Sequence, residues 1–88
     1  MDRAGAIRAR LDAALAPEAL VITDESRLHA GHPGAAGGGG HFTVDIVAAG
    51  FRGHNLLERH RMVYAALGDL MPAEIHALSI RAKAPEEQ

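Results

Sequence analysis

Six histidines, His29, His32, His41, His54, His60 and His76, are the residues of this 88-residue chain best suited to chemistry. Imidazole can ligate a transition metal or carry a proton near neutral pH. No cysteine accompanies them, so the chain has no thiolate ligand, no thiol nucleophile and no disulfide. His29 and His32 have an H-x-x-H spacing, but in the glycine-rich stretch "RLHAGHPGAAGGGG" rather than on a helix. His41 opens one apolar alternating segment and His76 stands near the start of another. If the loop and the start of the last segment fold to one end of a sheet, two imidazoles there make half of a tetrahedral site. Iron–sulfur clusters normally take four cysteines, with a histidine pair replacing two of them in some. On this chain such a cluster would have to be shared with a partner that supplies sulfur. From the residues alone, a loop that takes up zinc, or exposed histidines with no ligand, are the simpler readings.

Other chemistries are poorly represented. The four consecutive glycines are not followed by Lys-Ser or Lys-Thr, and a strand rather than a helix comes next, so a phosphate-cradling loop is not expected. Serine occurs only at Ser26 and Ser79, there is no G-x-S-x-G turn, and no enzyme is expected. A formal charge of −2 gives no global positive field for nucleic acid. The opening "MDRAGAIRARLDAAL" lacks an apolar signal core, and Asp2 and Asp12 argue against a transit peptide. No apolar run is long enough to span a bilayer, so no membrane association is expected and the cytosol is the expected location.

The elements that must position these side chains follow from periodicity. Ile7, Leu11 and Leu15 predict a helix over 3–15, capped by Asp2. The β-branched run Leu20–Thr23 predicts a short strand that stops in "DES". In "HFTVDIVAA", Phe42, Val44, Ile46 and Ala48 alternate with Thr43, Asp45 and Val47, as in a half-buried strand. After a turn bracketed by Gly50 and Gly53, Asn55 caps a helix expected to run to about Leu70. Its apolar stripe is Leu56, His60, Val63, Leu67 and Leu70, widened by Leu57, Tyr64 and Met71. In the last strand, "EIHALSIRA", His76, Leu78 and Ile80 are expected on one face and Ile75, Ala77 and Ser79 on the other. The tail "KAPEEQ" is polar and expected to fray, leaving one domain over 1–84 and a loose 85–88. The order αββαβ predicts an α+β domain. The first two strands pair antiparallel, the second and third are parallel through a crossover helix, and both helices lie on one face.

Within "LLERHRMVYAAL", Arg59 and Arg61 are about 200° apart on a helix and do not make one basic patch. They are expected to snorkel, or to pair with acids such as Glu58. His60 falls on the apolar stripe and is expected to be structural, hydrogen-bonded to backbone or to a neighbouring strand.

"DESRLH", "HF", "FRG", "RHRMVYAAL" and "IHALSI", in that order, resemble the BolA family over nearly the whole chain. The resemblance implies an αββαβ fold similar to the type II KH domain. It also implies association with a monothiol glutaredoxin and a shared two-iron two-sulfur cluster, with sulfur ligands from the glutaredoxin and glutathione and no cluster on the isolated chain. His76 matches the family's ligand in the last strand. His29 matches the loop histidine of one subgroup, and His32 could substitute for it in a loop longer than the family's usual spacing. A second implication is DNA-binding regulation of stress response and cell morphology through a helix-turn-helix-like segment. There Arg52, Gly53, Arg59 and Arg61 would face nucleic acid, while Phe51, His60 and Tyr64 hold the fold. "GHNL" stands where a KH domain would carry GXXG, so RNA binding by that route is not expected. The chain alone is expected to be a monomer or weak homodimer.

Overall fold

The computed structural model describes residues 2–25 and 40–88. His29 and His32 therefore lie outside the described residues. The elements are α1 (Arg3–Leu15), β1 (Ala19–Asp24), β2 (Gly40–Val47), α2 (Leu56–Leu67), the one-turn α3 (Leu70–Ala73) and β3 (Ile75–Lys83). Short 3-10 turns cover Ala49–Phe51 and Pro85–Glu87. The strands form a sheet in the order β1-β2-β3. β1 runs antiparallel to β2, with Ala19 opposite Val47 and Asp24 opposite Phe42. β2 and β3 are parallel, with Val44 opposite Ile80, as a strand–helix–strand crossover requires.

Strand alternation places Phe42, Val44 and Ile46 in the core with Ile7 and Leu11 of α1 and Val63 and Leu67 of α2. The intervening Thr43, Asp45 and Val47 are only partly covered, so the helices lie on one face of the sheet. Asp2 caps α1 by accepting from the Gly5 N–H at 2.7 Å. Gly40 is required by close approach, because a Cβ there would fall 2.3 Å from the Phe42 ring.

α2 begins with a reciprocal capping box. The Asn55 side chain accepts from the Glu58 N–H, and the Glu58 carboxylate accepts from the Asn55 N–H. The helix is shorter than expected. It ends at Leu67, where Gly68 takes φ 53° and donates its N–H to the Tyr64 carbonyl. Its buried face is also rotated from the expected stripe. Arg59, Val63 and Leu67 are buried, while Leu56, Leu57 and Tyr64 are exposed at 62%, 58% and 40%. Tyr64 is therefore not a core residue, whereas Phe51, expected to be structural, is fully buried. "LLERHRMVYAAL" carries two possible apolar stripes, and the burial of the Arg59 side chain selects the second.

β3 departs from simple alternation at its start. Ile75 lies opposite Gly40 but Ala77 lies opposite His41, so His76 is an extra residue accommodated as a bulge. Ile75 thereby reaches the same core as Leu78, Ile80 and Ala82, instead of the opposite face. His76 and Ala77 are exposed. At the other end of β3 the tail expected to fray forms the Pro85–Glu87 turn, with the Ala84 N–H donating to the Glu87 carboxylate at 2.8 Å.

Candidate metal-ligating edge and arginine lock

The bulge decides what His76 can do. Ile75 is anchored in the core, and the main chain beside it is held by a Gly40 N–H to Glu74 carbonyl bond of 3.1 Å. The imidazole that follows is exposed. His41, half-buried at the start of β2, is the neighbour across the step in register. Its carbonyl accepts from the Glu25 N–H at 2.8 Å. The His41 and His76 ring centroids are 5.4 Å apart, with the ring planes tilted by 34°. A shallow cavity of about 250 Å³ lies on the His41 side, lined by Glu25, His41, Phe42, Ala77, Leu78 and Ser79. The Thr43 hydroxyl donates to the Glu25 carboxylate in its wall. Among the described residues no group of three or more histidines and carboxylates could hold a metal ion. The edge thus places two imidazoles side by side. Partners for His76 from positions 29 or 32 lie outside the described residues.

The remaining described histidines stand apart from this edge. His54 Nδ1 lies 3.5 Å from the Glu58 carboxylate at the start of α2. His60 is half-buried, but its Nε2 is buried with no hydrogen-bond partner among the described residues. Among the described residues, Nε2 does not make the hydrogen bond expected of this ring.

The arginines of the helix-turn-helix-like segment are used in two ways. Arg59 is only 9% exposed. Its Nε donates to the His54 carbonyl at 2.8 Å, its Nη1 to the Ala82 carbonyl at 3.1 Å, and its Nη2 to the Glu87 carboxylate at 2.8 Å. The guanidinium also stands 6.0 Å from the Phe51 ring centroid. The Glu87 carboxyl is held down to about 2, first by the Arg59 hydrogen bond and then by the Ala84 N–H. Arg59 in turn lies above its usual value because Glu87 bonds its charged form. Arg52 pairs with Glu86 through contacts of 2.7 and 2.9 Å, which lower the Glu86 carboxyl. Arg61 is exposed on the far side of the helix, and Gly53 takes φ 79° in the preceding turn. Arg59 therefore neither snorkels nor pairs with Glu58. It bridges α2 to the chain beyond β3. Glu86 and Glu87 stand in the tail expected to fray, although proline followed by two acids is the pattern of a helical first turn. His41 carried no distinguishing signal, because its nearness to His76 depends on strand register and on the bulge.

The sequence matches the family model described as BolA-like protein over residues 11–87. The chain is 46% identical over 89 residues to Protein BOLA1, chloroplastic, of Arabidopsis thaliana, covering 98% of this chain and 56% of that protein. It is 38% identical over 74 residues to the DNA-binding transcriptional regulator BolA of Escherichia coli K12, covering 84% of this chain and 68% of that one. The solved structure of BolA1 from Arabidopsis thaliana superposes with a TM-score of 0.86 at 45% identity, over 100% of this chain and 97% of that one. The chain spans a little over half the length of the first curated relatives it matches. No helix among the described residues is long and apolar enough to cross a membrane. The strand order, the parallel pairing of β2 with β3 and the extended sequence match agree: this chain belongs to the BolA-like protein family.

Proposed function

We propose that the chain is a non-enzymatic adaptor that pairs with a monothiol glutaredoxin and shares a two-iron two-sulfur cluster with it. The observation that carries this reading is His76. The bulge anchors Ile75 in the core and leaves the next imidazole exposed, as a ligand offered across an interface must be. The donor chemistry fits such a group. Neutral imidazoles replace thiolates in some clusters, and a chain without cysteine contributes only nitrogen. His76 supplies one ligand and His29, with His32 as its substitute, supplies the second. The glutaredoxin and glutathione supply sulfur. When bound, the cluster supplies one-electron redox chemistry and transferable iron and sulfur. The isolated chain is a monomer or weak homodimer without the cluster, and the pairing belongs in a reducing compartment such as the cytosol.

The test is anaerobic co-expression with a cytosolic monothiol glutaredoxin from the same organism, followed by visible absorption and circular dichroism of the purified complex. Wild type should show cluster bands that change in the His76→Ala complex. Identical spectra and identical resistance to air would remove His76 as a ligand.

A second reading, a DNA-binding regulator, rests on the similarity to the E. coli protein of that description. Arg52 and Arg59 are already paired with Glu86 and Glu87, leaving Arg61 as the more accessible of the three. DNA binding by this surface would fall steeply with salt, with a slope reduced by about one in Arg61→Ala.

A further inference from the structure

We propose that the outer edge of β3, from Leu78 to Ala82, docks an extended acidic peptide of a partner protein, which adds to the sheet as a fourth strand. The site uses main chain beyond His76 and stands independently of the shared cluster.

Hydrogen-bonding demand makes the first argument. β3 is an edge strand. The Lys83 carbonyl accepts from the Ala48 N–H at 3.0 Å, so Lys83 turns its main chain towards β2. Alternation along a parallel ladder then turns the main-chain groups of Leu78, Ile80 and Ala82 outward. The Ala82 carbonyl is taken by Arg59 at 3.1 Å. Among the described residues no such cap reaches Leu78 or Ile80. Both are only half-buried although their side chains face the helices, whereas Phe42, Val44 and Ile46 of the central strand are buried.

The opposite edge supplies the contrast. On β1 the outward Leu20 carbonyl accepts from Arg8 at 3.0 Å. Glu18, Asp24 and Glu25 flank that strand and repel an acidic segment. Caps and charges are the usual guards of an exposed edge. A stretch of edge without a cap is where an extended peptide can pair through its main chain.

Charge selects the occupant. Arg81 and Lys83 lie opposite Asp45 and Val47, on the face that no helix covers, and both are exposed. Arg81 reaches Asp45 only at 3.8 Å. The Lys83 ammonium acts on Glu87 through space, without a hydrogen bond. A cavity of about 200 Å³ opens beside the two cations, lined by Asp45, Ile46, Val47, Arg81, Lys83 and Gln88. Side chains of an added strand alternate between the two faces of the sheet. Every second residue would lie beside Arg81 and Lys83, where a carboxylate is favoured. The residues between would lie beside Leu78 and Ile80, where an apolar side chain is favoured. The recognised segment therefore alternates acidic and apolar residues.

The probe is the capped peptide acetyl-Val-Glu-Val-Glu-Val-Glu-Val-amide, added to the isotope-labelled full chain. Its binding should shift the Leu78 and Ile80 amide signals. At about ten times Kd it should slow hydrogen exchange of those amides by about tenfold. Replacing the glutamates by lysines should weaken binding by about tenfold or more. Arg81→Gln with Lys83→Gln should weaken the acidic peptide by a similar factor, and both side chains are exposed, so the fold is kept. Two further peptides, N-methylated at every valine or at every glutamate, separate main-chain pairing from charge. One of the two should lose about tenfold or more in affinity and the other should keep it, because alternate residues turn their N–H groups towards β3. Equal binding of both methylated peptides, or unchanged exchange of Leu78 and Ile80 at saturation, would overturn the added strand. Absence of binding at millimolar peptide would overturn it as well. Protection of the same amides in the chain alone, rising with its concentration, would assign the edge to a second copy and overturn the acidic peptide as its occupant.

Discussion

The two ends of β3 treat their functional groups in opposite ways. At its start an imidazole is set free: the bulge turns Ile75 inward and leaves His76 exposed beside His41. Just past its end a guanidinium is enclosed: Arg59 donates to two main-chain carbonyls and a carboxylate while facing Phe51. Both residues come from motifs of the kind that bind ligands. What separates them is saturation. A side chain whose donors are already satisfied inside the protein would have to give up those bonds to meet a ligand, and charged hydrogen bonds are the strong ones. The His76 end leaves its imidazole exposed, and the Arg59 end is spent on holding α2, β3 and the C-terminal turn together.

The largest effect should come from the floor of the lock. Phe51→Ala removes a fully buried ring and should cost about 3–5 kcal/mol in urea denaturation. Next, Arg59→Met should lower the thermal midpoint clearly, and Glu87→Gln by less. The double variant should be less destabilised than the sum of the two, because both remove one interaction. The pair also sets an acid response. Glu87 is held down to about 2, below its ordinary 4.5. Its contribution is therefore complete above the ordinary value and drains away as pH falls from there towards 2. Glu87→Gln should flatten that part of the stability–pH curve. If Arg59→Met leaves the midpoint unchanged but abolishes DNA binding, the contrast between the two ends collapses.

A smaller effect, of opposite sign, is expected at His60. Its buried Nε2 makes no hydrogen bond among the described residues. His60→Leu should stabilise the chain by about 1 kcal/mol, by removing an unpaired polar atom. Destabilisation in the same urea titration would mean that the ring nitrogen has a partner in solution. The smallest stability change belongs to His76→Ala, within about 0.5 kcal/mol because the side chain is exposed. A loss well beyond that, measured by the same denaturation, would make His76 a structural residue and sharpen the comparison against the ligand reading.

Much of the fold was legible because its signals are local. Four-residue spacing in α1, the Asp2 and Asn55 caps and the alternation of Phe42, Val44 and Ile46 each depend on a few neighbouring residues. The departures from local pattern share a different cause. Periodicity places Leu56 and Tyr64 inside because arginine counts there as polar, whereas the Arg59 stem is buried once Glu87 meets its head. Strict alternation predicts the faces of β3, and a single bulged residue reverses it at the start of the strand. The tail reads as loose because its acids have no partner in the neighbouring sequence. Their partners lie 34 and 28 residues away.

The sequence by itself determined the element order, the family and the absence of thiolate chemistry, because composition, capping and periodicity are properties of short segments. It also marked His76 through the family motif. Only the tertiary structure decided which arginine is enclosed and which histidine stands beside His76. Those outcomes depend on strand register, on a one-residue bulge and on contacts between distant segments. Such contacts arise when the chain closes on its core, and no window of neighbouring residues encodes them.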